Sequence, residues 1–481
     1  MLAVSEPPRS ILLIMIVLVA VEILSNFESS MIYSAIPAIA KDVGGVANAS
    51  WAITVYLIVQ AGTAAVGGRL GDIFGRRRAL CCIIVICMIG SLISAFTTIP
   101  GVIVLGRAVQ GLSGAILPLC YGIAYNTVPR DKAAFWIGII TGGYAIATGV
   151  GLVLGGALTD IGSWHAIFYC NAFYALAILV PVLLVLPRDR PPAQLLKTEG
   201  MASGLLFAPS VAAILFGLAM VKTWGWSPST IGMIAGGLAC LTYWARREYM
   251  KPVPLIDVKL LMRREILLAN LCFALWAISA AQSPMVFTLL LQQPVSTGVG
   301  LGLSATLAAA VLAQGNFVGG PASPVSGLIA GRFGHRAALL TGGAIGGAAW
   351  IFLTFSHRTV WEVAGGLLVA SAGGSIISTA VANLVLRVAP NNRSSEATGL
   401  SMVIKWISMS VGALGIGTLL DRGRVIDTAT GHSYPTGSGY FLVMGLMTAS
   451  MIAISLVALA LPGRRAVPAD PPADRIATSA L

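Results

Sequence analysis

Residues Gly68–Leu80 read GRLGDIFGRRRAL, a cluster of acid, base and glycine held between two long apolar stretches, Trp51–Val66 and Ala79–Ala95. Glycines flank Asp72 on both sides, and three arginines follow Gly75. Glycine frees the backbone for tight reversals, so the segment reads as a short charged loop between two apolar helices.

The composition around it defines the solvent. Of 481 residues, 57% are hydrophobic and only 10% charged, with 55 glycines, which is membrane-protein rather than soluble usage. A helix needs about 20 apolar residues to cross the hydrocarbon core. Fourteen stretches qualify, approximately 11–37, 49–69, 79–98, 101–126, 134–158, 165–187, 201–221, 228–246, 265–290, 299–330, 337–356, 360–386, 396–419 and 438–461. Ten-residue alternating strands are absent, so the fold class is an all-α polytopic membrane bundle and not a barrel. Only Arg9 precedes the first apolar run, and no small-residue cleavage site follows it cleanly, so it is read as an uncleaved first span.

The net charge of +12 is topological. With both termini cytoplasmic, all but seven of the 30 lysines and arginines fall inside; Lys41, Lys222, Arg358, Arg422 and Arg424 fall outside, and Arg107 and Lys405 lie within spans. That is the positive-inside pattern of a multi-pass cell-membrane protein, and it removes the reason to expect a nucleic-acid partner. The seven cysteines all sit in apolar spans without metal-ligand spacing, so no metal site is expected. No GxxxxGK[ST] phosphate loop is present, so any driving force is an ion gradient and no cofactor beyond a coupling proton is expected.

Two basic or proline-rich loops, Leu186–Gly200 and Arg246–Glu265, bracket the seventh and eighth spans. Six spans precede that pair and six follow it, and the outer blocks echo one another. Gly327-Leu-Ile-Ala-Gly-Arg-Phe-Gly-His-Arg336 repeats Gly68–Arg77 with Gly331 in the place of Asp72, and Pro390-Asn-Asn-Arg393 matches Pro129-Arg-Asp-Lys132. The expected organisation is an N-terminal six-helix half (1–187), a linker with two extra helices (188–264), a C-terminal six-helix half (265–461) and a cytoplasmic tail (462–481). Duplicated halves of this kind frame a site at their interface.

On these residues the chain resembles the major facilitator superfamily, in its fourteen-helix drug:proton antiporter branch, from about Phe27 to about Leu461. The family's G-x-L-a-D-r-x-G-r-r-x-x-l loop is met by Gly68, Leu70, Asp72, Gly75, Arg76, Arg77 and Leu80, with Ile73 the main departure. Asp72 is suited to accept from a cation or a facing helix N-terminus, and the resemblance implies a conformational latch there. The R-x-x-Q-G pattern is met by Arg107, Gln110 and Gly111. An intramembrane Arg is a functional candidate, and the resemblance links it to proton transfer; an Arg hydrogen-bonded to carbonyls is the other reading.

Phe27-Glu-Ser-Ser-Met-Ile-Tyr-Ser-Ala-Ile-Pro37 resembles the branch's L-D-x-T-I-V-N-V-A-L-P segment, with Glu28 for Asp and Tyr33 for Asn. Burial disfavours the charged form of a carboxyl, as proton coupling needs, which makes both Glu28 and Glu22 coupling candidates; the resemblance puts Glu28 first, because it falls in the matching segment, and Glu22 second, and a merely buried, hydrogen-bonded Glu is the alternative. Their offset is about 120° on an ideal helix. The antiporter motif of the fifth helix is only partly met, by Gly138, Gly151, Gly155 and Gly156, with its proline missing; the three last glycines suit close helix packing. Lys405, ten residues into the thirteenth span, is a cavity candidate with Gln110 and Tyr33, or snorkels to an interface. Trp164 and Phe168 are read as outer-interface markers, and the segment Asp421–Gly439 as either a vestibule cover or a connector.

The resemblance implies a secondary transporter and no enzyme, moving protons against an amphiphilic small molecule such as a drug or antibiotic, outward, as a monomer in the lipid bilayer. A dedicated exporter of one endogenous metabolite, such as a siderophore or self-made antibiotic, is the second reading.

Overall fold

In the computed structural model, residues 10–42, 46–161, 163–188, 201–251, 254, 256–420, 422–426 and 433–462 are described. The expected tail beyond 462, the stretch 189–200 of the expected linker and part of the segment after Leu420 lie outside them. From Ile11 the chain is helical: α1 (Ile11–Asp42) is followed by α2 (Val46–Phe74), which runs unbroken through Gly68 and Asp72. Only Gly75 leaves the helix, at φ 101°, and α3 (Arg76–Ala95) begins at the next residue. The charged stretch is therefore a helix end and a one-residue hinge, not a loop. Glycine alone tolerates that φ without strain.

The first block continues with α4 (Pro100–Gln110) and α5 (Ile116–Thr127), one pass joined by a 3-10 turn, then α6 (Arg130–Ile161) and α7 (His165–Val185). The inserted pair is α8 (Met201–Trp224) and α9 (Pro228–Met250), followed by the short α10 (Val258–Leu261). In the last block α11 (Arg264–Ile278) and α12 (Ser283–Gln292) form one pass, followed by α13 (Ala305–Phe333), α14 (His335–Phe355), α15 (Val360–Val388), α16 (Ser394–Leu420) and α17 (Gly437–Leu459). A small antiparallel ribbon, β1 (Arg424–Ile426) with β2 (Ser433–Pro435), lies between the last two helices. Among the described residues eleven passes are long and apolar enough to span a membrane. The helices α8, α9 and α13 stand where the other three spans are expected: α8 is apolar, but its described stretch Leu206–Val221 is shorter than a full pass, whereas α9 and α13 carry Gly, Ser, Thr, Pro and Gln among their apolar residues. The expected count of fourteen is thus not established by apolarity alone. Large side chains such as Phe173 (74% exposed) and Leu184 (67%) face outward from the bundle, as lipid solvation requires.

The halves meet through two crossings of one pattern. The second helix of the first block, α2, packs on the fifth of the last, α16; the second of the last block, α13, packs on the fifth of the first, α6. Duplicated halves related by a two-fold produce this exchange. Glycines bring the backbones together: a Cβ at Gly68 would stand 2.5 Å from Ser395 O, and one at Gly327 2.2 Å from Ala134 O. Along α6 the small residues divide by helical period. Gly138 and Gly142 face Ser323–Pro324 and Gly320 of α13, whereas Gly143 and Gly151 face Val19 and Ser30 of α1.

The helix α8 also departs from the role of a spacer. It packs on both α2 and α16, with Ala208 against Gly62 and the Phe216 ring tilted against Trp51 at 5.4 Å between centroids. Trp164 and Phe168, at the start of α7, are turned into the protein: they are 2% and 1% exposed, in an apolar cluster with Met31, Ile32 and Ile39. The Trp164 indole donates to Asp42 at 2.6 Å, so its polar edge is satisfied without the membrane boundary.

Candidate functional site: a central cleft and an interdomain latch

At the end of the bundle that carries Gly75 and Gly334, α2 and α16 are tied by charge. Asp72 accepts from Arg76 Nε at 2.8 Å through one carboxylate oxygen, and from the Glu396 backbone N–H at 3.0 Å through the other. The second contact places a buried carboxylate on the first turn of α16, where free N–H groups and the helix dipole favour negative charge. Arg76 reaches on to Gly122 O, Asn391 O and Ser394 Oγ, each at 2.8 Å, and so bridges both halves. Arg77 instead donates to Leu183 O and Leu186 O, fastening α3 to the end of α7 within its own half.

A second acid completes this network, one that no sequence motif marks. Glu396 is fully buried, with Arg69 of α2 at 3.4 Å and Arg393 at 3.1 Å. The Asp257 backbone N–H also donates to it, and Arg393 reaches Pro254 O at 3.5 Å. The segment leading from the inserted pair into α10 is therefore strapped over the latch. Asp131 occupies the first turn of α6 at the matching crossing, but Gly331 faces it with room to spare, 4.0 Å from its carbonyl.

Away from the latch, α2 and α16 diverge around a cleft of about 420 Å³, within the usual range of small-molecule sites. Tyr33 of α1, Thr54, Leu57 and Ile58 of α2, and Trp406, Met409, Ser410, Ala413 and Leu414 of α16 line it, with Gln282 from the turn before α12. Leu215, Leu218 and Ala219 of α8 supply a third wall. The lining is apolar with four polar side chains and no charge.

The sequence candidates separate here. Tyr33 is in the cleft. Lys405 stands one turn nearer the latch than Met409, adjacent to the lining residue Trp406. Gln110 is not in the cleft; it is fully buried in the first half, donating to Ser91 Oγ at 2.6 Å and accepting from Arg107 at 2.8 Å. Arg107 also donates to Ala52 O at 3.0 Å and lies 4.2 Å from the Tyr56 ring centroid. These partners come from α2, α3 and α4, so Arg107 knits one half together. Glu22 is fully buried on α1, where Asn26 donates to Oε1 at 3.3 Å while Oε2 has no hydrogen-bond partner. Glu28 lies on α1, but its side chain is outside the described residues. Gly151 and Gly155 are buried along α6, and Gly156 is half-buried. A Cβ at Gly151 would stand 2.0 Å from Ser30 Oγ, which accounts for close α1–α6 packing without a kink.

Replacing Arg107 by alanine strips charge-assisted donors from a buried carbonyl and from Gln110. It is expected to destabilise the purified protein by about 3 kcal/mol, read as a lowered unfolding temperature in detergent. Unchanged stability with lost transport would instead assign Arg107 to the transport step.

The sequence model described as Major Facilitator Superfamily matches residues 18–413. The tetracenomycin C resistance and export protein of Streptomyces glaucescens is 26% identical over 415 residues, 83% of this chain and 74% of its own. The probable actinorhodin transporter of Streptomyces coelicolor is 27% identical over 426 residues, 84% of this chain and 71% of its own. Among solved structures, the human organic anion transporter MFSD10 superposes with a TM-score of 0.66 at 12% identity, covering 94% of this chain and 100% of that one, a likeness of fold.

Proposed function

We propose that this chain, which belongs to the major facilitator superfamily, exports an amphiphilic, antibiotic-like small molecule across the cell membrane in exchange for protons. The observation that carries the reading is the pairing of an uncharged, mostly apolar cleft between the halves with a charged latch that closes one end of it. Relatives over four-fifths of the chain are named as a tetracenomycin C resistance and export protein and as a probable actinorhodin transporter. With both termini cytoplasmic, as the charge distribution favours, the latch is the inner gate, and the cleft lies toward the outside.

Transport then follows from a two-state rocking equilibrium. Cargo entering from the inside requires α2 and α16 to part at Asp72 and Glu396. Reclosure there restores the contacts on the first turn of α16 and leaves the cleft facing outward. The coupling proton is assigned to Glu28 first and Glu22 second, both on α1, which packs on α6, the helix that also carries the α13 crossing. The protein works as a monomer, since its halves supply their own interface.

The test is flux of a fluorescent amphiphile in proteoliposomes carrying an imposed pH gradient. Glu28→Gln is expected to abolish gradient-driven accumulation while leaving substrate–substrate exchange. Flux that survives both collapse of the gradient and this substitution removes proton coupling from the reading.

A further inference from the structure

The cleft carries no charge in its walls, but a cation stands at its floor. Lys405 Nζ lies 5.1 Å from the ring centroid of Trp406, 5.6 Å from Tyr144, 5.8 Å from Phe273 and 5.9 Å from Trp276. All four distances are within cation–π range. Tyr144 belongs to α6 of the first half and the other three to α11 and α16 of the last, so the cage closes across the interdomain boundary. Trp406 is shared between cage and cleft.

Rings stabilise an ammonium through their faces and leave its three N–H donors uncommitted. Among the described residues no carboxylate comes within ion-pair distance of Nζ. Glu22 is within electrostatic reach and its Oε2 has no hydrogen-bond partner, but it makes no direct ion pair with Nζ, and Asn26 on its own helix engages its Oε1. A positive charge in mid-bundle, held by rings rather than by an acid, is an anion site waiting for its partner.

We propose that Lys405 and its aromatic cage form the anchoring subsite for the acidic group of an aromatic, anionic cargo: a carboxylate or ionised phenol that pairs with Nζ while its ring system stacks on Trp406, the cage ring that also lines the cleft. Planar walls favour a planar partner. A cationic cargo is repelled at this floor, and a neutral one forms no ion pair with the ammonium. This rests on the export reading above and narrows its substrate class.

The test is binding to the full chain in phosphatidylcholine nanodiscs, which present no anionic lipid, read by quenching of tryptophan fluorescence. The probes are anthracene-9-carboxylate and its methyl ester, alike in shape and different in charge. The wild-type protein is expected to prefer the acid by roughly tenfold or more, as one charge-assisted contact provides. Lys405→Met is expected to erase that preference by weakening the acid alone, and Lys405→Arg to keep it. Equal binding of acid and ester by the wild type, or an equal loss of both in Lys405→Met, overturns the subsite. Flux of a neutral dye through wild type and Lys405→Met separates the two readings. Dye flux without acid preference sinks the subsite and spares export; Lys405-dependent acid binding without flux of either probe does the reverse.

Discussion

Asp72→Asn is expected to lower transport more than tenfold and to shift the protein away from the state in which α2 and α16 meet. The substitution keeps the shape of the side chain and one acceptor oxygen but removes the charge. Asp72 holds Arg76 at 2.8 Å and the first turn of α16 at 3.0 Å, and both contacts are buried. Charge-assisted bonds of this kind contribute about 1.5–3 kcal/mol each. Arg76, held also by Gly122 O, Asn391 O and Ser394 Oγ, loses the carboxylate of this pair, and breaking a buried pair by removing one partner is costly. A loss of about 3 kcal/mol from one side of a two-state equilibrium changes its constant by more than a hundredfold. Asn126 and Asn391 report the shift, because the Asn126 amide reaches Asn391 O at 3.4 Å across the closed gate and is solvent-exposed. With cysteines at both positions and Cys82 replaced, cross-linking is expected to be efficient in the parent and to fall severalfold with Asp72→Asn. Unaltered cross-linking and unaltered flux would falsify the latch.

The chemistry of the latch was legible in the sequence and its form was not. Charge in a hydropathy profile reads as solvent, so Gly68–Leu80 reads as a loop. Yet Arg69 is 2% exposed, Asp72 8% and Arg76 5%, because the polar end of α2 is covered by the opposite half. The helix has no reason to stop where its charges begin, since they find partners in protein. Hydropathy likewise locates Lys405 as an anomaly, but its cage is assembled from residues 144, 273, 276 and 406, which only the crossing of α6, α11 and α16 brings together. The cleft wall formed by α8 leaves no mark at all: Leu215, Leu218 and Ala219 are ordinary residues of an apolar helix. Gln110 shows the converse: its place in the R-x-x-Q-G pattern marks it in the sequence, while only the fold shows that Arg107 and Ser91 engage it within the first half, away from the cleft.

Gly68→Val is expected to prevent closure of the same gate by geometry rather than charge. A Cβ at Gly68 would lie 2.5 Å from Ser395 O and 2.9 Å from Ser395 C, and these are backbone atoms in the first turn of a helix that cannot turn aside. Overpacking costs about 1–3 kcal/mol where neighbours can give; here relief comes only from parting the halves, so the open state is favoured with each half intact. The expected signature is flux reduced more than tenfold, Asn126–Asn391 cross-linking lost, and an unfolding temperature within a few degrees of the parent. Gly331→Ala is the internal control. It stands where the repeat puts the counterpart of Asp72, its nearest neighbour for a Cβ is Asp131 O at 4.0 Å, and its flux is expected to match the parent. Combining Gly68→Val with Asp72→Asn separates a shared gate from two independent defects. If both act by opening one closure, the charge has no partner left to lose once valine holds the helices apart, so the double variant should be no worse than Gly68→Val alone. Additive losses would mean that Asp72 acts somewhere other than the α2–α16 closure.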